Sequence, residues 1–486
     1  MGSETVMEDL KMRAVRGGVA KIWAQAAFFF LRIGSLMILA RLLGPRDFGL
    51  VGMVTAVTGV LSLFKDAGLS TATVQRVNVT DDQISNLFWV NILIGVILGV
   101  FSLAIAPVLV GLYHEPRLSS VTAALATSFL LNAAGVQHTA ILQRQMRFTA
   151  LAIVDTLSSL VSSAVGVGMA LAGCGYWSLV GMSITAPAIS TLSVWLITSW
   201  IPGLPRRHVG VRSMLNFGGT VTLNGLVVYL AYNLDKVLLG RYRGADVLGV
   251  YGRAYQLINI PTDSLNSAVG VVAFSALSRL QEDPRRFKSY FLKGYSLVLT
   301  LTLPVTLASA LFANEIIVVL LGPTWKDAAT ILRLLTPTIL AFGLINPLGW
   351  MLYSIGLVGR SLKIALVLAP LVISSYVLGL PHGPNGVAFA FSAVMTLWII
   401  PHIVWCTYKT NISPNDVFQT LKQPFFSAIV AAILTLGVKS FSHHLPVLLQ
   451  LVIGIGILFG TYSWMLLYIM GKKAFYLDLL RGLRKR

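Results

Sequence analysis

The stretch "RLLGPRDFGLVG", residues 41–52, returns as "RYRGADVLGVYG" at 241–252. Arg41, Gly44, Gly49 and Gly52 overlay Arg241, Gly244, Gly249 and Gly252 at a shift of 200 residues. In the same register, 21–40 overlays 221–240, with Met37-Ile38-Leu39-Ala40 over Val237-Leu238-Leu239-Gly240. Each copy therefore joins the first and second apolar runs of a larger repeated block. Glycines at these places permit a tight turn and close helix contact.

The surrounding composition says what the blocks are. Of 486 residues, 56% are hydrophobic and 11% charged, with a mean hydropathy of +0.78. Soluble domains carry about 25% charged residues, so a cytosolic globular protein is excluded. Apolar stretches recur along the chain at lengths sufficient to cross a hydrocarbon core of ~30 Å, which defines an all-α polytopic membrane protein. The start, "MGSETVMEDLKMRAVRGG", mixes Glu4, Glu8 and Asp9 with its basic residues, and the first apolar run has no A-x-A site. It reads as an uncleaved first span.

Fourteen spans are expected, near 17–42, 48–70, 84–111, 118–141, 149–172, 176–200, 214–240, 253–277, 290–313, 328–356, 361–380, 386–408, 424–440 and 446–470. They organise into a first lobe (1–200, helices 1–6), a linker (201–213), a second lobe (214–408, helices 7–12) and a C-terminal segment (409–486) with two more helices and a basic tail. Two six-helix lobes that both begin on one side are related by a pseudo-two-fold axis along the membrane normal. An even number of spans puts both termini on one side. That side carries 24 of the 37 Lys and Arg, while the opposite loops carry 7: Arg41, Arg46, Arg117, Arg241, Arg243, Lys326 and Lys439. The asymmetry places both termini in the cytoplasm and accounts for the net charge of +19 without nucleic acid. Cys174 and Cys406 fall on opposite faces, so no disulfide is expected between them.

Charges inside spans point to function, because they are costly there. Lys21 and Arg32 lie eleven residues apart, about 20° from alignment at 100° per residue. Gln25 and Ser35 share their stripe. This first-lobe face is cationic and is expected to border a watery cavity or a counter-ion. In helix 7, Asn224 and Asp235 share a face; with Asn233 and with Asp263 of helix 8 they offer oxygen ligands suited to a proton or Na⁺. The overlay sets Asp235 against Ser35. No metal centre, other cofactor or catalytic constellation is expected: "GCGYWSLVG" (173–181) sits between two spans, and His443-His444 lacks ligand spacing.

Five stretches carry a family resemblance: "ARLLGPRDFGLVGMVTAVTGVLSLFKDAGLSTATVQR" (40–76), "LAGCGYWSLV" (171–180), "NLDKVLLGRYRGADVLGVYGRAYQL" (233–257), "VAFSALSRLQED" (272–283) and "LLGPTWKDAATILRLL" (320–335). With these the chain resembles bacterial polysaccharide flippases of the polysaccharide-transporter group in the MATE/flippase superfamily, near the colanic-acid and succinoglycan exporter branch. The resemblance implies two six-helix lobes plus two C-terminal helices in the inner membrane. It also implies an undecaprenyl-pyrophosphate-linked oligosaccharide cargo, with a polysaccharide polymerase and glycosyltransferases in the same pathway. On that reading Arg32, Lys21, Gln25 and Ser35 meet the pyrophosphate, and Asp235, Asn224, Asn233 and Asp263 hold a coupling H⁺ or Na⁺. Two other classes are open: an ion-coupled multidrug antiporter of the same superfamily, against which a basic first lobe argues, and a membrane-embedded glycan ligase or polymerase, which would need a large outer loop.

Overall fold

The computed structural model describes residues 30–65, 69–70, 73, 80–205, 212–442 and 444–473, with side chains throughout except at 212–224 and several positions between 265 and 275. Lys21 and Gln25 lie outside the described residues, as does the side chain of Asn224.

Among the described residues the chain is helical, with no strand. Helix α1 runs to residue 42 and is followed by α2 (Pro45–Ser62), α3 (Asp81–Tyr113), α4 (Arg117–Arg144), α5 (Phe148–Leu171) and α6 (Trp177–Thr198). The long segment Arg212–Arg279 is broken at Gly244, whose φ of +84° and ψ of 178° are non-helical. We label its two parts α7 and α8. Then come α9 (Pro284–Leu311), the short α10 (Ala313–Leu320), α11 (Asp327–Ser354), α12 (Val358–Gly379), α13 (Gly383–Thr407), α14 (Pro414–Phe441) and α15 (Val447–Trp464). Setting α10 aside, fourteen helices correspond to the fourteen expected spans. The short α10 was not expected, and α14 begins ten residues early because Ser413 starts it. The Ser413 hydroxyl accepts from Asp416 N and the Asp416 carboxylate accepts from Ser413 N, with Pro414 in the first turn. Thr80 and Gln83 close the start of α3 in the same reciprocal way.

Burial confirms the solvent. The most apolar window of α3 has mean hydropathy 2.7, yet only 28% of it is buried within the protein. Leu93, Ile97, Val100, Phe101 and Val108 stand exposed along it. A face of that kind is stable in lipid and not in water.

The chain forms two compact units, Met1–Gly249 and Val250–Arg486. In the first, α3 pairs with α4, α5 with α6, and α4 with α6. Gly95 admits this closeness, because a Cβ there would stand 2.6 Å from Ala133 Cβ and 3.0 Å from the Phe129 carbonyl oxygen. A fully buried polar chain crosses the unit. Thr73 donates to Gln137 Oε1 (3.0 Å), and Gln137 Nε2 donates to Asn91 Oδ1 (2.8 Å). Arg144 ties in by donating to the Thr73 carbonyl. One position on, His138 stacks on Trp195 with centroids 4.4 Å apart. These groups find partners inside the unit because lipid offers none.

In the second unit α9 packs on α11 and α14, α11 and α12 on α13, and α14 on α15. Lys439 of α14 pairs with Glu315 Oε1 at 2.8 Å, donates to the Leu311 carbonyl and lies over the Phe312 ring at 4.9 Å.

Candidate functional site

The two copies of the opening motif meet. A Cβ added to Gly49 would overlap the Ala245 carbonyl oxygen, and one added to Gly249 would overlap the Pro45 carbonyl oxygen. At a shift of 200 these are the same pair of positions, 49 with 245 and 249 with 45, so the contact is reciprocal and locally two-fold. It forms where α2 and α8 begin. Nearby, a Cβ on Gly240 would stand 2.8 Å from the Tyr113 ring, and the Tyr229 hydroxyl of α7 donates to the Thr55 and Ala56 carbonyls of α2, 3.2 Å from each. The three glycines are not equivalent. Gly44 is extended with φ −83° while Gly244 has φ +84°. Gly52 meets only Leu248 at ordinary distance, and Gly252 has open space around its Cα.

Around this contact stand five exposed arginines, Arg41, Arg46, Arg117, Arg241 and Arg243. Arg46 and Arg117 share Glu115, at 3.2 and 3.5 Å. Arg241 Nη1 lies 3.3 Å from His114 Nδ1, and His114 itself closes α3 at φ +57°. The Asp47 carboxylate is occupied in accepting from Gly44 N.

Arg32 is half-buried on α1, and among the described residues neither a carboxylate nor any other hydrogen-bonding partner meets its guanidinium. Ser35 is 7% exposed. Its oxygen lies 2.7 Å from both Leu31 O and Ser163 Oγ. With one proton to give, Ser35 donates to the carbonyl and accepts from Ser163, which ties α1 to α5. Asp235 is fully buried in α7 and accepts from Lys236 N at 2.8 Å. Asn233 turns elsewhere, accepting from Lys236 Nζ at 2.6 Å and donating to the Tyr229 carbonyl. Asp263 is exposed in the second unit. Of the predicted ion ligands, then, Asn233 is joined to Lys236 and not to Asp235.

Some polar residues escaped the sequence reading. Thr262, Asn266, Thr302, Asn346 and Trp350 line one cleft in the second unit. Their signal was present: Thr262 and Asn266, like Asn346 and Trp350, stand four apart on otherwise apolar helices and so share a face.

A multi-helix membrane protein with a bare cation inside its first helix and a reciprocal glycine contact between repeats has the build of a transporter. The comparisons give the family. Residues 38–330 match the family described as "Polysaccharide biosynthesis protein", and the chain belongs to it. It is 26% identical to the Bacillus subtilis teichuronic acid biosynthesis protein TuaB over 83% of this chain and 84% of that protein. It is 23% identical to the Escherichia coli lipopolysaccharide biosynthesis protein WzxC over 87% and 86%. With the Rhizobium meliloti succinoglycan biosynthesis transport protein ExoT it shares 21% over 96% and 94%. The fold is shared with the lipid II flippase MurJ in an inward closed conformation, at a TM-score of 0.73 and 15% identity over 96% of this chain and 100% of that one. An inward-facing multidrug resistance MATE transporter follows at 0.64 and 14%, over 83% and 99%.

Proposed function

We propose that the chain is a flippase that turns an undecaprenyl-pyrophosphate-linked oligosaccharide from the cytoplasmic to the outer leaflet of the bacterial inner membrane, for polysaccharide assembly. The observation that carries this reading is Arg32. A charge near the middle of a span costs at least ~2.5–3.5 kcal/mol, so it persists where it meets a compensating anion or water. A diphosphate is such an anion, and crossing a low-dielectric core without cations would cost it tens of kcal/mol. The relatives' printed roles in teichuronic acid, lipopolysaccharide and succinoglycan biosynthesis supply a cargo of matching chemistry.

Both termini lie in the cytoplasm on this reading, from the uneven distribution of Lys and Arg. The Gly49–Gly249 contact then closes the outer end. Transport proceeds by alternating access, as the repeats part at this contact while the opposite end shuts. Lys21, Gln25 and Ser35 extend the Arg32 stripe, with Ser35 acting through the helix it anchors. On this reading Asp235, Asn224 and Asp263 couple the cycle to H⁺ or Na⁺, and Asn233 serves by orienting Lys236 beside Asp235. Glycosyltransferases and a polymerase supply and consume the cargo.

Liposomes holding the full chain and a fluorescent undecaprenyl-pyrophosphate oligosaccharide test the proposal. Protein should expose inner-leaflet lipid to an impermeant quencher far faster than empty liposomes do. Equal rates would contradict it, and cation-drug efflux in the same vesicles would favour an antiporter.

A further inference from the structure

The junction of α3 and α4, Tyr113-His114-Glu115-Pro116-Arg117, reaches both copies of the repeated motif. Tyr113 is buried with its ring against Gly240, where a Cβ would stand 2.8 Å from the ring. His114 Nδ1 meets Arg241 Nη1 of the second copy at 3.3 Å. Glu115 turns to the first copy and bridges two arginines. Its Oε2 lies 3.2 Å from Arg46 Nη2, and its Oε1 lies 3.5 Å from Arg117 Nε. One carboxylate thus gives one oxygen to each of two guanidinium groups, as a phosphate with two free oxygens would if it lay between them.

The bridge is a weak one. The Arg46 and Arg117 side chains are 54% and 50% exposed, and ion pairs so open to water contribute little net stability. Glu115 brings one negative charge to two cations, and among the described residues neither guanidinium has a second ion-pair partner. The motif copies and this junction together hold five arginines and no lysine against three carboxylates, Asp47, Glu115 and Asp246. Lysine would supply the same charge, but the planar fork of arginine matches the paired oxygens of a phosphate. A diphosphate carries at least two negative charges on oxygens of that geometry, so it outmatches a single carboxylate for this pair. A cation is repelled here, and a neutral sugar has no charge to set against that of Glu115.

We infer that Arg46 and Arg117 form a diphosphate site at the end of the glycine contact, which the Glu115 carboxylate fills until the cargo headgroup displaces it. The exchange frees the α3–α4 junction from the first motif copy. The inference rests on the flippase reading for its biological ligand, but its test measures binding and not transport. Full-length protein carrying Arg32→Ala, so that the α1 cation takes no part, is titrated in phosphatidylcholine nanodiscs with farnesyl pyrophosphate and, separately, with inorganic pyrophosphate. Both probes should bind. Glu115→Gln should tighten farnesyl pyrophosphate binding about tenfold, as expected if the carboxylate holds the site about nine-tenths of the time. Arg46→Gln and Arg117→Gln, both at exposed positions, should each weaken it about tenfold. Asp246→Asn removes the same charge from an exposed neighbour outside the bridge, and should shift affinity less than about twofold. Hydrogen exchange adds a readout that a merely structural role would not move. Farnesyl pyrophosphate should speed exchange across 113–119 and lose that effect when Arg117→Gln is added. Size-exclusion profiles matching wild type show that each variant is folded. Transport by Arg32→Ala at the parent rate would remove the α1 claim and leave this one standing. Failure of both probes to bind overturns the inference, as does binding of pyrophosphate without farnesyl pyrophosphate. Unchanged affinity in folded Glu115→Gln, or equal tightening by Asp246→Asn, overturns it too.

Discussion

Lys439 shows how an outlying charge is held. Its ammonium reaches Glu315 and a backbone carbonyl at once, over an aromatic ring, and the Glu315 side chain is only 10% exposed. Removing the lysine strands a nearly buried carboxylate. Breaking such a pair costs ~3–5 kcal/mol when both partners are buried, and less here because the lysine is partly open. Lys439→Ala should lower the melting temperature in detergent by an amount equivalent to about 2 kcal/mol. Adding Glu315→Gln should recover part of the loss, because the stranded charge is then gone. Equal melting temperatures for wild type and Lys439→Ala would mean that the pair contributes nothing. Arg32 is the contrary case, a cation that the described surroundings leave to something else.

The repeated motif predicts which glycines can change. At Gly49 and Gly249 a methyl group runs into a backbone carbonyl, which cannot swing away as a side chain can. Gly49→Ala and Gly249→Ala should therefore destabilise the protein alike, each by about 1–3 kcal/mol. Gly44→Ala should cost less than about 1 kcal/mol, since Gly44 is an extended N-cap whose added Cβ meets only Asp47 Oδ2 at an ordinary 3.8 Å, whereas Gly244→Ala forces a methyl-bearing residue to φ +84° at a cost of about 1–3 kcal/mol. Thermal unfolding of the four variants checks the pattern; identical behaviour of Gly44→Ala and Gly49→Ala would refute it. The four positions also mark how far the sequence could be read. The register and span order were visible at 41–52 and 241–252, and with them the fold, because lipid forces long apolar periods. Which glycines touch, and what, depended on tertiary contact and was not visible. The start of α14 was missed for a local reason: "SPNDVFQTLKQ" is polar for a span, yet Ser413 and Asp416 cap it well. At the candidate site the cation on α1 was legible as a charge within an apolar run. The turn of Asn233 toward Lys236 was not, since helical spacing gives a face and not a rotamer.

The sidedness of the chain can be tested with its own two cysteines. Cys174 is exposed in the turn between α5 and α6, where a Cβ on neighbouring Gly175 would stand 3.3 Å from Asp47, so this turn lies at the end of the glycine contact. Cys406 is buried. In intact spheroplasts an impermeant maleimide should label wild type and fail to label Cys174→Ser. Labelling that appears only after the membrane is opened would reverse the topology and turn the closed end toward the cytoplasm. Once labelling assigns the ends, the proposal reduces to an anionic headgroup passing a cation in α1. The decisive measurement is the rate at which Arg32→Ala, reconstituted at wild-type density, moves undecaprenyl-pyrophosphate oligosaccharide across liposomes. Loss of charge-assisted contacts should slow it about tenfold to a hundredfold, with Arg32→Lys in between. Translocation by a folded Arg32→Ala protein at the parent rate would contradict the account.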